Sequence, residues 1–265
     1  MADQSGFRKA GKKGASGRSY RNATGLTRQP KKMRGRKVSS QRWLTRQLND
    51  PFVAEAKSRG FRSRAALKLE QIDERYRIFK QGMAIVDLGC APGGWLQVTS
   101  MRTKLGISAA RLVGIDLLET ESLVGADIFT GDITDPKMLE EVRTAVGGFA
   151  DGVLSDMAAD TTGHRSTDHL RTTALLEAAL DFALEILNQN GFFLAKCFRG
   201  GAEKLLLKKM QLNFKTVRHV KPAASRSESV ESYVLASGFH GTEHSENIAA
   251  DIIEGRHNVD GKIIM

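Results

Sequence analysis

Lys196 stands inside the apolar run Phe192-Phe193-Leu194-Ala195-Lys196-Cys197-Phe198. A charged group there costs desolvation energy unless it is paired or neutral. A lysine in that place therefore reads as a proton-transfer group, the plain alternative being one that reaches solvent from the end of a strand. Two carboxylates could serve it. Asp156 closes the run Leu154-Ser155-Asp156, and Glu231 opens the last apolar run, where it reads equally as a surface charge on an edge strand.

A second group of residues points to a bound ligand. The stretch Ile85–Trp95, IVDLGCAPGGW, is a short apolar run closed by glycines where a helix should begin. Such a turn presents backbone N–H groups to a ligand in α/β folds. It has neither the Gly-x-Gly-x-x-Gly order of nicotinamide sites nor the Gly-Lys-Ser/Thr ending of a phosphate-binding loop, which disfavours an oxidoreductase and ATP hydrolysis. Successive apolar runs end at Asp87, Asp116, Asp132 and Asp156. Asp116 is placed to accept from ribose hydroxyls and Asp132 to sit beside an adenine. Carboxylates gathered at one end of a sheet disfavour a phosphate and favour a cationic cofactor, and S-adenosylmethionine fits that requirement.

The elements that must position these residues follow from periodicity. Strands are expected at 83–88, 111–116, 126–130, 150–156, 191–197, 214–220 and 230–237, and helices at 94–104, 136–145, 170–188 and 201–212. Strand–helix alternation of this kind gives a mainly parallel sheet covered on both faces. Only Lys221–Ser229 separates the last two strands, so they should pair antiparallel at a sheet edge. Before the sheet, apolar residues from Gln41 to Ala56 recur at helical spacing with a break near Asp50-Pro51. Ser63 can cap a helix running to about Tyr76, with Lys68 off the centre of its buried face.

Charge is unevenly spread. Residues 1–40 hold 12 Lys/Arg and one acidic residue, whereas the remainder holds 28 basic and 29 acidic side chains. Residues 1–38 are expected to be a disordered basic extension that binds a polyanion, most plausibly nucleic acid. Residues 39–238 form the folded domain, and 239–265 an acidic tail of low order. Cys90 and Cys197 are too few for a disulfide framework and read as small buried residues in a reducing compartment. No apolar run reaches the roughly 20 residues of a membrane span. A cytoplasmic protein with no membrane partner is expected.

The segments RSRAALKL at 62–69, VDLGCAPGGW, LSDMA at 154–158, the lysine of Leu194-Ala195-Lys196 and SRSESVESYVLASG at 225–238 occur in an order that resembles one family. It is the FtsJ/RrmJ (RlmE) family of S-adenosylmethionine-dependent ribosomal RNA 2′-O-methyltransferases. The resemblance covers about residues 39–238. Cys90 stands where the bacterial pattern often has Ala, and Ala159-Asp160 replaces the usual Pro-Asn. It implies a Rossmann-like, mostly parallel seven-stranded sheet with helices on both faces and an antiparallel last strand inserted next to the fifth. It also implies a catalytic tetrad of Lys68, Asp156, Lys196 and Glu231, and cofactor contacts from Gly93, Trp95, Asp116, Asp132 and Asp156.

In the implied reaction a ribose 2′-oxygen attacks the sulfonium methyl group without a metal. Lys196 orients and deprotonates the hydroxyl, Lys68 loosens that lysine's proton by like-charge repulsion, and Asp156 and Glu231 position the lysines. Arg62 and Arg64 are expected on RNA phosphates. The implied substrate is a uridine of the A-loop of 23S ribosomal RNA in the large ribosomal subunit, modified by a monomer. The alternatives are a transfer RNA 2′-O-methyltransferase and a non-catalytic RNA-binding assembly factor.

Overall fold

The alternation of apolar runs and amphipathic segments folds as expected. The computed structural model of the chain describes residues 38–159, 162–198, 204–226 and 229–241. The expectations of a basic extension over residues 1–38 and of an acidic tail over 239–265 fall almost wholly outside these. The chain divides into two compact units between Val53 and Ala54. The first holds α1 (Val38–Asn49) and the start of α2 (Pro51–Ser58). Asp50 ends one helix and begins the next, its carboxylate accepting from Phe52 N at 3.0 Å, with Pro51 at the first position, where its missing N–H costs nothing.

In the second unit the elements are α3 (Ala65–Tyr76), β1 (Ala84–Leu88), α4 (Gly94–Thr103), β2 (Arg111–Asp116), β3 (Asp127–Thr130), α5 (Pro136–Val146) and β4 (Ala150–Ser155). There follow α6 (Arg165–Ile186), β5 (Leu187–Phe198), α7 (Lys204–Asn213), β6 (Phe214–Val220) and β7 (Glu231–Phe239). The seven strands form one sheet in the order β3-β2-β1-β4-β5-β7-β6. β7 pairs antiparallel with both neighbours, and the pairs among β1 to β5 are parallel. β7 is thus an inner strand, and β6 is the edge.

Side chains alternate across a strand, so each strand feeds two cores. Val86, Val113, Val153 and Phe193 pack on the side of α5, α6 and α7. Ile85, Leu112, Leu154 and Leu194 pack on the side of α3 and α4, against Leu69, Ile72, Trp95 and Leu96. α5 shows local and tertiary signals agreeing: Asp135 caps it through Lys137 N, Pro136 opens it, Met138, Val142 and Val146 form its buried stripe, and Gly147 closes it at φ 83°. Among the described residues no helix is long and apolar enough to cross a membrane.

Two expectations are corrected by local chemistry. α6 begins at Arg165 rather than 170, because its first turns are polar and carry no apolar stripe. They are held instead by Asp168, whose carboxylate accepts from Thr162 N and Oγ1, each at 2.7 Å. The helix also stops before Leu187, which is buried and so extends the apolar periodicity, but which pairs with Ala150 at the start of β5. Regular pairing then resumes at Phe192 opposite Gly152.

Gly152 is needed for that crossing. A Cβ there would lie 2.3 Å from the Phe192 ring and 2.9 Å from Ile85 Cδ1, and the ring is held edge-to-face by Phe79 at 6.0 Å. Gly152→Ala is therefore expected to cost about 1–3 kcal/mol by overpacking, read as a lower urea midpoint with an unchanged slope.

Candidate active site

The site is built at the carboxyl ends of the parallel strands, where crevices form in open α/β sheets. β1 ends in the turn Gly89–Gly93. Gly89 has φ 73°, and a Cβ there would fall 2.4 Å from Met157 Cγ; Gly93 has φ 102°, and its Cβ would fall 2.4 Å from the Arg62 guanidinium. Both positions combine a left-handed backbone with a close neighbour, so they require glycine. Asp116, at the end of β2, holds the turn: its carboxylate accepts from Ala91 N and from Leu118 N, each at 2.9 Å. Asp132 accepts from Thr134 N at 2.9 Å and Thr134 Oγ1 at 2.8 Å, and these bonds hold its carboxyl below the usual carboxylate range.

Asp116, Asp132 and Asp156 border one cleft of about 660 Å³, together with Ile115, Ile133 and Met157. The size lies within the range of small-molecule sites. Asp87 does not join them. It is fully buried, and neither carboxylate oxygen has a hydrogen-bond partner among the described residues. Burial, then the charges of Asp156 and Asp116, push its carboxyl well above the usual range.

Beside the cleft lie two lysine–carboxylate pairs. Lys196 Nζ donates to Asp156 Oδ1 at 2.8 Å and to the Asp156 backbone oxygen at 2.7 Å. Lys68 Nζ donates to Glu231 Oε1 at 2.6 Å. The two pairs are joined by Tyr233, whose hydroxyl donates to Asp156 Oδ1 at 2.8 Å and accepts from Lys68 at 3.2 Å. Ser225 Oγ donates to Glu231 Oε1 at 2.9 Å. Burial opposes the charge on Asp156, but Lys196, Lys68 and the Tyr233 hydrogen bond outweigh it and hold the carboxyl below its ordinary value. Burial and the neighbouring carboxylates push the Tyr233 phenol well above its ordinary value, so it serves as a neutral donor.

The four residues expected as a tetrad thus meet, with partners sorted as Lys68–Glu231 and Lys196–Asp156. Lys68 is buried, not off the covered face of α3. Tyr233 went unread, although the alternation of β7 puts it on the same face as Glu231. Trp95 and Gly93 sit on the loop but do not border the cleft. The indole of Trp95 is buried, donates to Ala65 O at 2.9 Å and lies 5.8 Å from the Tyr233 ring. Ser63 is not the cap expected for α3, which begins after Arg64 with no side-chain cap. The arginines expected on phosphates bind protein oxygens instead. Arg62 donates to the carbonyls of Glu121 and Ser122, each at 2.7 Å, and Arg64 to that of Ala224. Cys90 and Cys197 are both buried thiols, and burial pushes that of Cys90 up to about 12.

The strand order, the antiparallel seventh strand and the cleft at the glycine turn together define a Rossmann-like methyltransferase. The chain belongs to the FtsJ-like methyltransferase family, whose profile matches residues 61–239. It is 53% identical over 213 residues to the ribosomal RNA large subunit methyltransferase E of Mesorhizobium japonicum, covering 80% of each chain. It is also 53% identical over 222 residues to the protein of that name from Paramagnetospirillum magneticum, covering 82% of this chain and 90% of that one. Among solved structures, a ribosomal RNA methyltransferase from Plasmodium falciparum matches with a TM-score of 0.61 and 28% identity, covering 68% of this chain and all of that one.

Asp87 supplies a prediction from linkage. Its folded pKa is raised, so between the unfolded and folded values the group is ionised when unfolded and protonated when folded. This contribution opposes folding above the folded pKa and fades as pH falls toward the unfolded value of about 3.9. Asp87→Asn is expected to raise the unfolding free energy at pH 8, with the gain vanishing toward pH 4 in urea titrations. A gain that is the same at both pH values would show that Asp87 is ionised in the fold.

Proposed function

We propose that this protein transfers a methyl group from S-adenosylmethionine to a ribose 2′-hydroxyl of large-subunit ribosomal RNA, with a uridine of the A-loop of 23S RNA as acceptor. The observation that carries this reading is the buried pair of lysine–carboxylate bridges, joined by Tyr233, at the edge of a nucleoside-sized cleft. The names of the relatives in two bacteria support the RNA. The protein acts as a monomer in the cytoplasm, on ribosomal RNA within the large ribosomal subunit.

The cleft residues fit a cationic nucleoside. Apolar walls alternate with fixed carboxylates, of which Asp116 is oriented by two backbone N–H groups. Asp116 holds the ribose hydroxyls, Asp132 the adenine and Asp156 the charged end. Gly93 and Trp95 do not border the cleft; the Gly93 N–H donates to Cys90 O at 2.6 Å and so holds the turn against which the cofactor would lie. When bound, S-adenosylmethionine supplies a methyl carbon activated by a sulfonium, which departs as a neutral thioether.

The lysines act on the acceptor. An ammonium has three donors, and two on each lysine are taken, by Asp156 on Lys196 and by Glu231 and Tyr233 on Lys68. One remains on each for a substrate oxygen. Lys196 gives up its third proton to solvent, then orients the 2′-hydroxyl through the freed lone pair and receives its proton as the oxygen–carbon bond forms, while Lys68 stabilises the negative charge developing on that oxygen with its remaining N–H. Asp156, Glu231 and Tyr233 fix both lysines before the RNA arrives, so that alignment supplies a large part of the rate.

The test is incubation with labelled S-adenosylmethionine and either large ribosomal subunits or transfer RNA, followed by mapping of the methylated nucleotide. A 2′-O-methyl uridine in the large-subunit RNA is expected. Label on transfer RNA, or on no RNA, would select the transfer RNA or the non-catalytic reading. Lys196→Ala should reduce methyl transfer by at least about a hundredfold, the scale of positioned acid–base groups, with the affinity for S-adenosylhomocysteine nearly unchanged. Near-normal turnover would remove Lys196 from its role.

A further inference from the structure

A furrow leads away from the active lysine. On α3, Lys68, Gln71, Ile72, Arg75 and Tyr76 are spaced as one helical face, and this face lies along the edge strand β6. Gln71, Ile72 and Arg75 border one depression with Val220 and Lys221. Tyr76 borders the next, of about 480 Å³, with Arg77, Lys80, Thr216 and Arg218. Lys68 stands where this line meets Glu231. From Lys68 to Arg77 the helix rise of about 1.5 Å per residue spans roughly 14 Å.

The furrow carries more positive than negative charge, and its acids are paired. On α3, Glu70 pairs with Arg59 at 2.6 Å, Asp73 with Arg102 at 3.1 Å, and Glu74, which borders the first depression, with Arg102 at 3.8 Å. Asp151, which borders the second depression, is occupied by Ala84 N at 2.8 Å and by Asn188 Nδ2 at 3.2 Å. Arg77, Lys80 and Arg218 are exposed, and their side chains make no hydrogen bond or ion pair with a described residue. Arg77 and Lys80 lie on the connection after α3, so their charge is not explained by protection of the sheet edge against pairing.

We propose that this furrow binds backbone phosphates of the RNA segment flanking the nucleotide at Lys68 and Lys196. The inference rests on the RNA reading above and extends it to a surface outside the active centre. Arg77, Lys80 and Arg218 gather at the second depression, at the far end of the α3 face from Lys68, where they would hold backbone phosphates a few nucleotides from the reacting hydroxyl and carry no base preference.

The test uses the full chain, its variant Arg77→Gln/Lys80→Gln/Arg218→Gln and a transcript of large-subunit ribosomal RNA, with binding measured from 50 to 200 mM salt. The variant is expected to bind at least about tenfold more weakly at 50 mM, with the slope of log affinity against log salt shallower by about 2, since each phosphate contact contributes roughly 0.7–0.9. The KM for RNA should rise with kcat held, and S-adenosylhomocysteine affinity should not change. Unchanged RNA affinity and slope, in a variant that still binds S-adenosylhomocysteine, would reduce the cations to edge protection and overturn the proposal. If the triple variant loses that binding, Lys80→Gln and Arg218→Gln carry the test singly, each expected to lower the slope by about 1. A wild-type protein that binds the transcript through these cations but methylates no position in large ribosomal subunits would refute the proposed function and leave the furrow standing.

Discussion

Two ammonium groups are held almost out of water, and the fold around the site is arranged to keep them paired. Lys68 and Lys196 are each less than a tenth exposed. Removing one partner from a buried ion pair typically costs 3–5 kcal/mol, because the remaining charge is left without compensation. Here each lysine has its own carboxylate, and the Tyr233 hydroxyl ties the pairs by donating to one and accepting from the other. The phenol can do both because its environment keeps it protonated. α3, β4, β5 and β7 are thereby fixed to one another at one point.

The antiparallel direction of β7 is what makes this possible. Its register sets Glu231 opposite Phe198 and Tyr233 opposite Lys196, so the first residues of β7 lie at the carboxyl end of β5. The chain enters the site along the segment before β7, which also fastens to α3. Gln71 accepts from Ala224 N at 2.8 Å, Arg64 donates to Ala224 O, and Ser225 donates to Glu231. The first two contacts join residues more than 150 positions apart, so the helix that carries Lys68 is docked by the segment leading into the final strand.

Much of this was legible in the sequence because period and chemistry agreed. The strand limits at 111–116 and 214–220 coincide with the structure: the first is an apolar run closed by Asp116, and the second interleaves apolar and polar residues and stops before Pro222. Where the signals separated, the reading slipped. The polar start of α6 had no stripe to show, and buried Leu187 continued a stripe that the backbone had abandoned. Asp87, Asp116, Asp132 and Asp156 look equivalent as strand-end carboxylates, yet side-chain direction decides their roles. Asp87 precedes the last residue of β1 and points into the core, whereas Asp116 and Asp132 border the cleft. Arg62 resembles a phosphate ligand by type, but a lock between two loops by contact. Tyr233 carried a signal in the two-residue period of β7 from Glu231, and only the assembled sheet gives that period its meaning.

Asp156 belongs to both halves of the site, and this orders the electrostatics of the whole face. It borders the cleft and also neutralises Lys196, so little of its charge is left to repel an anionic acceptor. Asp116 and Asp132, on the far side of the cleft, keep the negative potential that selects a cation. On the other side, past Lys68, the exposed charge is positive along α3 and β6. In the proposed reaction a cationic donor and a polyanionic acceptor would therefore be drawn to opposite flanks of the same carboxylate. The hydrogen bond from Tyr233 fixes the distance between them before either arrives, which is the preorganisation that a displacement at carbon needs most.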